Sequence, residues 1–130
     1  MKKQGVLNWE IASLIAQMGH GDTICIGDAG LPIPSGVKRI DLAVTKGIPD
    51  FLSVLRVIVD ELAVEEVVVA KELTQNQAYL QKLQELLPII PITYIDHEEF
   101  KARLPQTKAV IRTGEFTPYA NVILRSGVVF

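Results

Sequence analysis

The stretch DFLSVLRVIVDELAVEEVVVAKEL, residues 50–73, decides the fold class. Its first half repeats apolar residues at helical spacing. Phe51, Val54, Leu55, Ile58 and Leu62 form one stripe, directly after Pro49. The second half changes period. EEVVVAKEL, residues 65–73, carries a continuous β-branched run at 67–69, the mark of a strand covered on both faces. A helix joined by a short turn to a doubly covered strand is the repeating unit of a parallel α/β sheet.

Working outward finds the same unit again. Upstream, Asn8 is a good N-cap, Ile11, Leu14, Ile15 and Met18 follow at helical spacing, and Gly19 is placed to stop the helix. TICIG (23–27) reads as a short buried strand and KRIDLAV (38–44) as a second. Between them DAGLPIPSG (28–36) is a loop, because its prolines and glycines exclude regular structure. Downstream, QNQAYLQKLQELL (75–87) is an amphipathic helix stopped by Pro88. IPITYID (90–96) is a strand, and HEEFKARL (97–104) a short helix capped by Asp96. KAVIRTG (108–114) and NVILRSGVVF (121–130) close the chain as strands. The expected architecture is one α/β domain over residues 1–130. It has three layers, with a Rossmann-like, largely parallel sheet and helices on both faces. The short link between the last two strands predicts an antiparallel or edge pairing there. The helix over 50–62 also carries Leu52, Val57 and Val59 off its stripe, which fits either a central helix or a subunit interface.

Bulk properties exclude several classes. The chain of 130 residues is long enough to bury a core without staples. Its net charge of −2 gives no support to nucleic-acid binding by bulk electrostatics. The single cysteine, Cys25, makes no intrachain disulfide and fits a reducing compartment. No apolar run approaches the roughly 18 residues that span a bilayer. The opening MKKQGVLNWE lacks the apolar core of a signal peptide, so the expected location is cytoplasmic.

Candidate chemistry concentrates in QMGHGDTICIGDAGLPIP, residues 17–34. A nucleotide cradle is rejected on element order: GHG follows a helix and precedes a strand, the reverse of the dinucleotide fingerprint. The loop after TICIG leads into another strand and offers no helix N-terminus for phosphate. The possible metal ligands are His20, Asp22, Asp28, Asp96, His97, Glu98 and Glu99, but they lack His-x-x-x-His or Glu-x-x-His spacing. Acid–base chemistry remains. Ligands of open α/β sheets gather beyond the C-terminal ends of the strands. Asp28 follows TICIG and His97 follows ITYID, both at such ends. His20 precedes its strand, so the chain must curve to bring it in, and the flanking glycines permit this. Imidazole both gives and takes protons near neutrality. The competing reading makes both histidines solvated turn residues.

A second unusual segment is IRTGEFTPYANVIL, residues 111–124, where Arg112, Thr113, Glu115, Tyr119 and Asn121 crowd between two strands. In extended chain Tyr119 and Asn121 point the same way and can hydrogen-bond one polar ligand. The alternative makes Tyr119 a surface ring, Asn121 a turn residue, and Arg112 with Glu115 a structural ion pair. Such donors and acceptors suit a small polyhydroxyl ligand without naming it.

MGHGD, DAGLPIP, IDLAV, HEEFK and AVIRTGEFTPYANVILRSGVVF closely resemble the D-ribose pyranase family, grouped with the fucose mutarotases, over essentially the whole chain. The resemblance implies an isomerase that interconverts the pyranose and furanose forms of D-ribose with no cofactor and no metal. By carry-over, His20 is the catalytic proton donor and Asp28 binds substrate. His97 and the segment Tyr119, Ala120 and Asn121 also contact the sugar. The family forms homo-oligomers, pentamers that pair into decamers, with sites at subunit interfaces. DAGLPIP favours ribose over fucose. The alternatives are a mutarotase for another sugar and a non-catalytic ribose-binding regulatory protein. One departure stands out: Gly21 replaces the threonine or serine of many relatives, with loop flexibility rather than chemistry the expected consequence.

Overall fold

In the computed structural model, which describes Met1–Phe130, the first helix starts where the cap requires. The Asn8 side chain accepts from the Ile11 N–H at 3.0 Å, and α1 runs Trp9–Gln17. β1 (Thr23–Gly27) and β2 (Lys38–Asp41) follow. α2 (Phe51–Val59) is capped by Asp50, whose carboxylate accepts from the Ser53 N–H at 3.0 Å. Next come β3 (Val64–Ala70), a 3-10 turn (Lys71–Gln75), α3 (Gln77–Leu86) and β4 (Ile92–Ile95). The chain ends with α4 (His97–Arg103), β5 (Ala109–Arg112) and β6 (Val122–Ser126).

The six strands form one sheet in the order β2-β5-β1-β6-β3-β4. β1–β5, β2–β5 and β3–β4 pair in parallel, while β6 runs antiparallel to both β1 and β3. Five strands therefore share one direction. Antiparallel pairing of the last strand is found, but neither with β5 nor at an edge. β6 sits inside the sheet and joins its two parallel halves. Its residues Val122, Ile123 and Leu124 are buried, so the sheet is covered on both faces at this strand.

Three strands stop three or more residues before their expected ends, and β4 and β5 one or two. β2 stops at Asp41, whose carboxylate accepts from the Ala43 N–H at 3.0 Å and turns the chain out. β3 stops at Ala70 as the 3-10 turn begins, and β6 stops at Ser126. Asp96 occupies the N-cap position of α4 without capping it. Its carboxylate instead pairs with Lys71 Nζ at 2.5 Å, and Glu72 accepts the His97 N–H at 3.1 Å.

Alternation along the strands divides the core. Ile24, Ile26, Val67, Val69, Ile111, Val122 and Leu124 face α1, α2 and α3. Cys25, Val68, Val110 and Ile123 face Phe100, Leu104 and Leu31, which belong to α4, the turn after it and the loop after β1. Helices thus cover both faces. Leu52 and Val59 pack against the larger core, leaving only Val57 of the surplus α2 residues well exposed. The central-helix reading of α2 accounts for most of its width. Val57 borders an apolar groove of about 380 Å³ between α1 and α2, with Leu7, Ile11, Leu42 and Pro49.

Candidate functional site

The topology assembles one edge of the sheet from both chain directions. β1, β2, β3, β4 and β5 all end there, and antiparallel β6 begins there. Asp28 follows β1, Arg112 ends β5, Glu72 and His97 follow β3 and β4, and Tyr119, Ala120 and Asn121 lead into β6. An open cleft of about 380 Å³ lies at this edge. Asp28, Ala29 and Gly30 form one wall, and Glu115, Phe116 and Thr117 another, with Arg112 between.

Asp28 is held from three directions. Its Oδ1 accepts from the Gly30 N–H at 2.9 Å. Its Oδ2 accepts from Asn121 Nδ2 at 2.9 Å, and its own N–H donates to Asn121 Oδ1 at 2.8 Å. Asn121 is fully buried and its carboxamide grips Asp28 at two points. Extended-chain geometry put Tyr119 and Asn121 side by side, facing one ligand. That expectation fails because Tyr119 has φ of 63°, which breaks the extended path. Tyr119 turns its ring edge-on to His97, with centroids 5.1 Å apart. Ala120 is fully buried in the core, so its side chain offers a ligand nothing.

His97 stacks on Phe100 at 6.2 Å, and its Nδ1 is buried without a hydrogen-bond partner. This ring nitrogen is a polar group for which the chain itself supplies no partner.

Arg112 and Glu115 do not pair with each other. Arg112 Nε donates to the Ala29 carbonyl at 2.9 Å, and its Nη1 meets Asp41 Oδ2 at 3.1 Å. Glu115 collects donors from three places. Its Oε1 accepts from the Phe51 N–H at 3.2 Å and from the Tyr79 hydroxyl at 3.3 Å. Its Oε2 accepts from the Thr117 hydroxyl at 2.9 Å and from the Phe116 and Thr117 N–H groups at 3.2 Å. Partial burial works to raise the Glu115 pKa, but these hydrogen bonds outweigh it and hold the carboxyl below the usual glutamate range. Burial, then the neighbouring Glu115 charge, pushes the Tyr79 hydroxyl far above its ordinary value. The sequence pattern alone offers Glu115 only as an ion-pair partner of Arg112. A clue was present: it stands between Thr113 and Thr117, donors two residues away on either side.

His20 lies elsewhere. β1 runs between it and Asp28, about 16 Å of strand at 3.3 Å per residue. The chain does not curve to bring it in. Gly21, at φ of 86°, donates its N–H to the Ser126 carbonyl at 2.8 Å and ties the turn to the far end of β6. That positive φ is costly for threonine or serine, so glycine suits this turn. His20 Nε2 meets Glu65 Oε2 at 2.9 Å, and Arg125 Nε holds the other oxygen of Glu65 at 2.9 Å. The His20 side chain remains 57% exposed. No three His, Cys, Asp or Glu side chains converge as metal ligands would. Cys25 is fully buried, and burial, with the nearby Asp28 charge, raises its thiol pKa well above normal.

Known proteins resemble this chain in sequence and in architecture. A D-ribose pyranase of Bacillus cereus (strain ATCC 10987 / NRS 248) is 57% identical over 131 residues, covering 100% of both chains. The solved structure of Bacillus subtilis RbsD complexed with D-ribose superposes with a TM-score of 0.95, at 50% identity over 100% of each chain. A fucose mutarotase from Streptococcus pneumoniae in complex with L-fucose is more distant, with a TM-score of 0.78 and 26% identity over 95% of each chain. The model of one family, described as the RbsD / FucU transport protein family, matches residues 1–129, and the chain belongs to that family.

Proposed function

We propose that this protein is an isomerase that interconverts the pyranose and furanose forms of D-ribose. The observation that carries the reading is the 57% identity to D-ribose pyranases over the whole chain. The lower identity to fucose mutarotase favours ribose over fucose.

The chemistry needs little machinery. A cyclic sugar is a hemiacetal. One proton goes to the ring oxygen, one leaves the anomeric hydroxyl, and the bond between C1 and the ring oxygen breaks. The open aldehyde rotates, and a different hydroxyl attacks C1 with the reverse proton movements. The 5-hydroxyl gives pyranose and the 4-hydroxyl furanose. No electron changes hands and no group is lost, so the step balances without a cofactor.

In this reading His20 delivers the proton to the ring oxygen, and Asp28 accepts a sugar hydroxyl. His97, Tyr119 and the backbone of Ala120 and Asn121 fix the remaining hydroxyls. His20 and Asp28 stand at opposite edges of the sheet in one chain, so His20 completes the cleft of a neighbouring subunit. The protein then works as a homo-oligomer, a pentamer or a pair of pentamers, with its sites at the interfaces. The apolar groove between α1 and α2 supports association.

The test is ribose ring exchange followed by NMR saturation transfer, with fucose run in parallel. Wild type is expected to accelerate ribose exchange, and His20→Ala to lose about 10²–10⁴ of that rate. Equal rates for the two proteins would remove His20 from catalysis. Ribose binding with no acceleration by wild type would replace the enzyme reading with a sugar-binding one, and faster exchange of fucose would change the substrate.

A further inference from the structure

Glu115 is not among the residues that the family resemblance assigns to the site, yet it lines the cleft. Both carboxylate oxygens are occupied by donors, and the charged form is favoured, so it is not a proton donor to substrate. Its position says what it does instead. The Ala29 N–H donates to the Glu115 carbonyl at 2.8 Å, which fastens the chain just after Asp28. The Glu115 carboxylate gathers the Phe116 and Thr117 N–H groups and the Thr117 hydroxyl, which fixes the turn leading to Tyr119. From behind, the same carboxylate holds the first residue of α2 and the hydroxyl of α3 residue Tyr79. One residue therefore ties the two cleft walls to each other and to the helical layer.

We propose that Glu115 is a positioning residue that sets the spacing between the Asp28 wall of the sugar cleft and the facing wall of Phe116 and Thr117, which leads to Tyr119. The proposal rests on the ribose reading of that cleft. A charged acceptor with five donors is strong and directional, and preorganised walls lower the cost of ordering the site around a ligand. Its loss should weaken sugar binding more than it slows ring opening, because the groups that move protons remain in place. Glutamine cannot replace it. One oxygen would become an NH₂ facing either the Phe116 and Thr117 N–H groups or the Phe51 N–H, donor against donor.

The experiment measures both KM and kcat for ribose exchange, and ribose Kd by calorimetry, in wild type, Glu115→Gln and Tyr79→Phe. Tyr79→Phe removes one donor to Glu115 from behind the cleft and alters none of its lining. Circular dichroism identifies the variants that fold. Expected are a KM and Kd about tenfold higher in Glu115→Gln, a smaller rise in Tyr79→Phe, and kcat within about threefold of wild type in both. A purely structural role would lower the melting temperature and leave KM and Kd of the folded variants unchanged, which overturns the proposal. A drop in kcat at constant KM would also overturn it. If Glu115→Gln does not fold, the Tyr79→Phe result decides by the same criterion. If wild type binds ribose without exchanging it, the functional reading fails while Kd still scores Glu115. If wild type neither binds nor exchanges ribose, both fail.

Discussion

The two edges of the sheet are built differently. At the edge where five strands end, the polar side chains around the cleft are committed: buried Asn121 is spent on Asp28, and half-buried Glu115 on its five donors. At the opposite edge the polar groups are exposed and paired loosely. His20 meets Glu65 with its side chain 57% exposed, and Lys108 lies 3.7 Å from Asp22 with its side chain 54% exposed. A saturated, partly buried network fixes a geometry in advance, whereas exposed pairs cost little to rearrange. The first edge has the character of a binding cleft. The second has that of a surface whose histidine is exposed and held by a single exposed pairing.

The largest effect tests whether the edges cooperate between chains. His20→Ala and Asp28→Asn should each be nearly inactive alone. Unfolded together and refolded as a mixture, they should recover ribose exchange. An interface that joins the intact His20 of one variant to the intact Asp28 of the other regains both groups. With random assortment about a quarter of interfaces qualify, so about a quarter of the wild-type rate should return. A refolded mixture as inactive as its components would place both groups within one chain's site and break the division of labour between edges.

A middle-sized effect compares the energetics of the edges directly. Asn121→Ala empties a fully buried position and leaves the N–H and one carboxylate oxygen of half-buried Asp28 without their partner. It should cost about 2 kcal/mol of stability and weaken ribose binding in the same variant. Lys108→Ala at the other edge removes an exposed pair and should stay within about 0.5 kcal/mol. Chemical denaturation of both variants checks the contrast, and similar losses would mean that the edges are alike.

What the sequence made legible follows the range of the interactions. Local patterns were read well. The Asn8 cap, the stripe of α2, the β-branched run of β3 and the loop between β1 and β2 all stand where periodicity and turn chemistry place them. Long-range partners were not. The placement of β6 between β1 and β3 depends on pairings with strands about 100 and 60 residues earlier, which no local pattern encodes. Asn121 finds Asp28 across 93 residues of chain, and Glu115 finds Phe51 across 64. The expectation that the chain curves to bring His20 to Asp28 fails, because flanking glycines show that a turn is permitted and not where it points. The family resemblance supplied the list of site residues, and the fold then divided that list between two ends of the sheet. It also gave Asn121 a grip on Asp28 rather than an outward-facing amide.

The smallest effect separates the edges by their response to acid. Glu115 has a folded pKa held below its unfolded value by the donors around it. Such a carboxyl stabilises the fold at pH above its unfolded pKa, roughly 4.3, and that contribution is lost as pH falls through the lower folded value. Asp50, which caps α2, is shifted the same way: burial opposes ionisation, but the Ser53 hydrogen bonds and Arg56 prevail. Wild type should therefore lose stability steeply below about pH 4.3. Glu115→Gln should start less stable at neutral pH and fall less steeply in acid, with the remaining slope carried in part by Asp50. Denaturant midpoints from pH 7 down to pH 3 measure this. Parallel curves for the two proteins would mean that the Glu115 charge does not hold the cleft edge, and that its donors would be equally satisfied by a neutral acceptor.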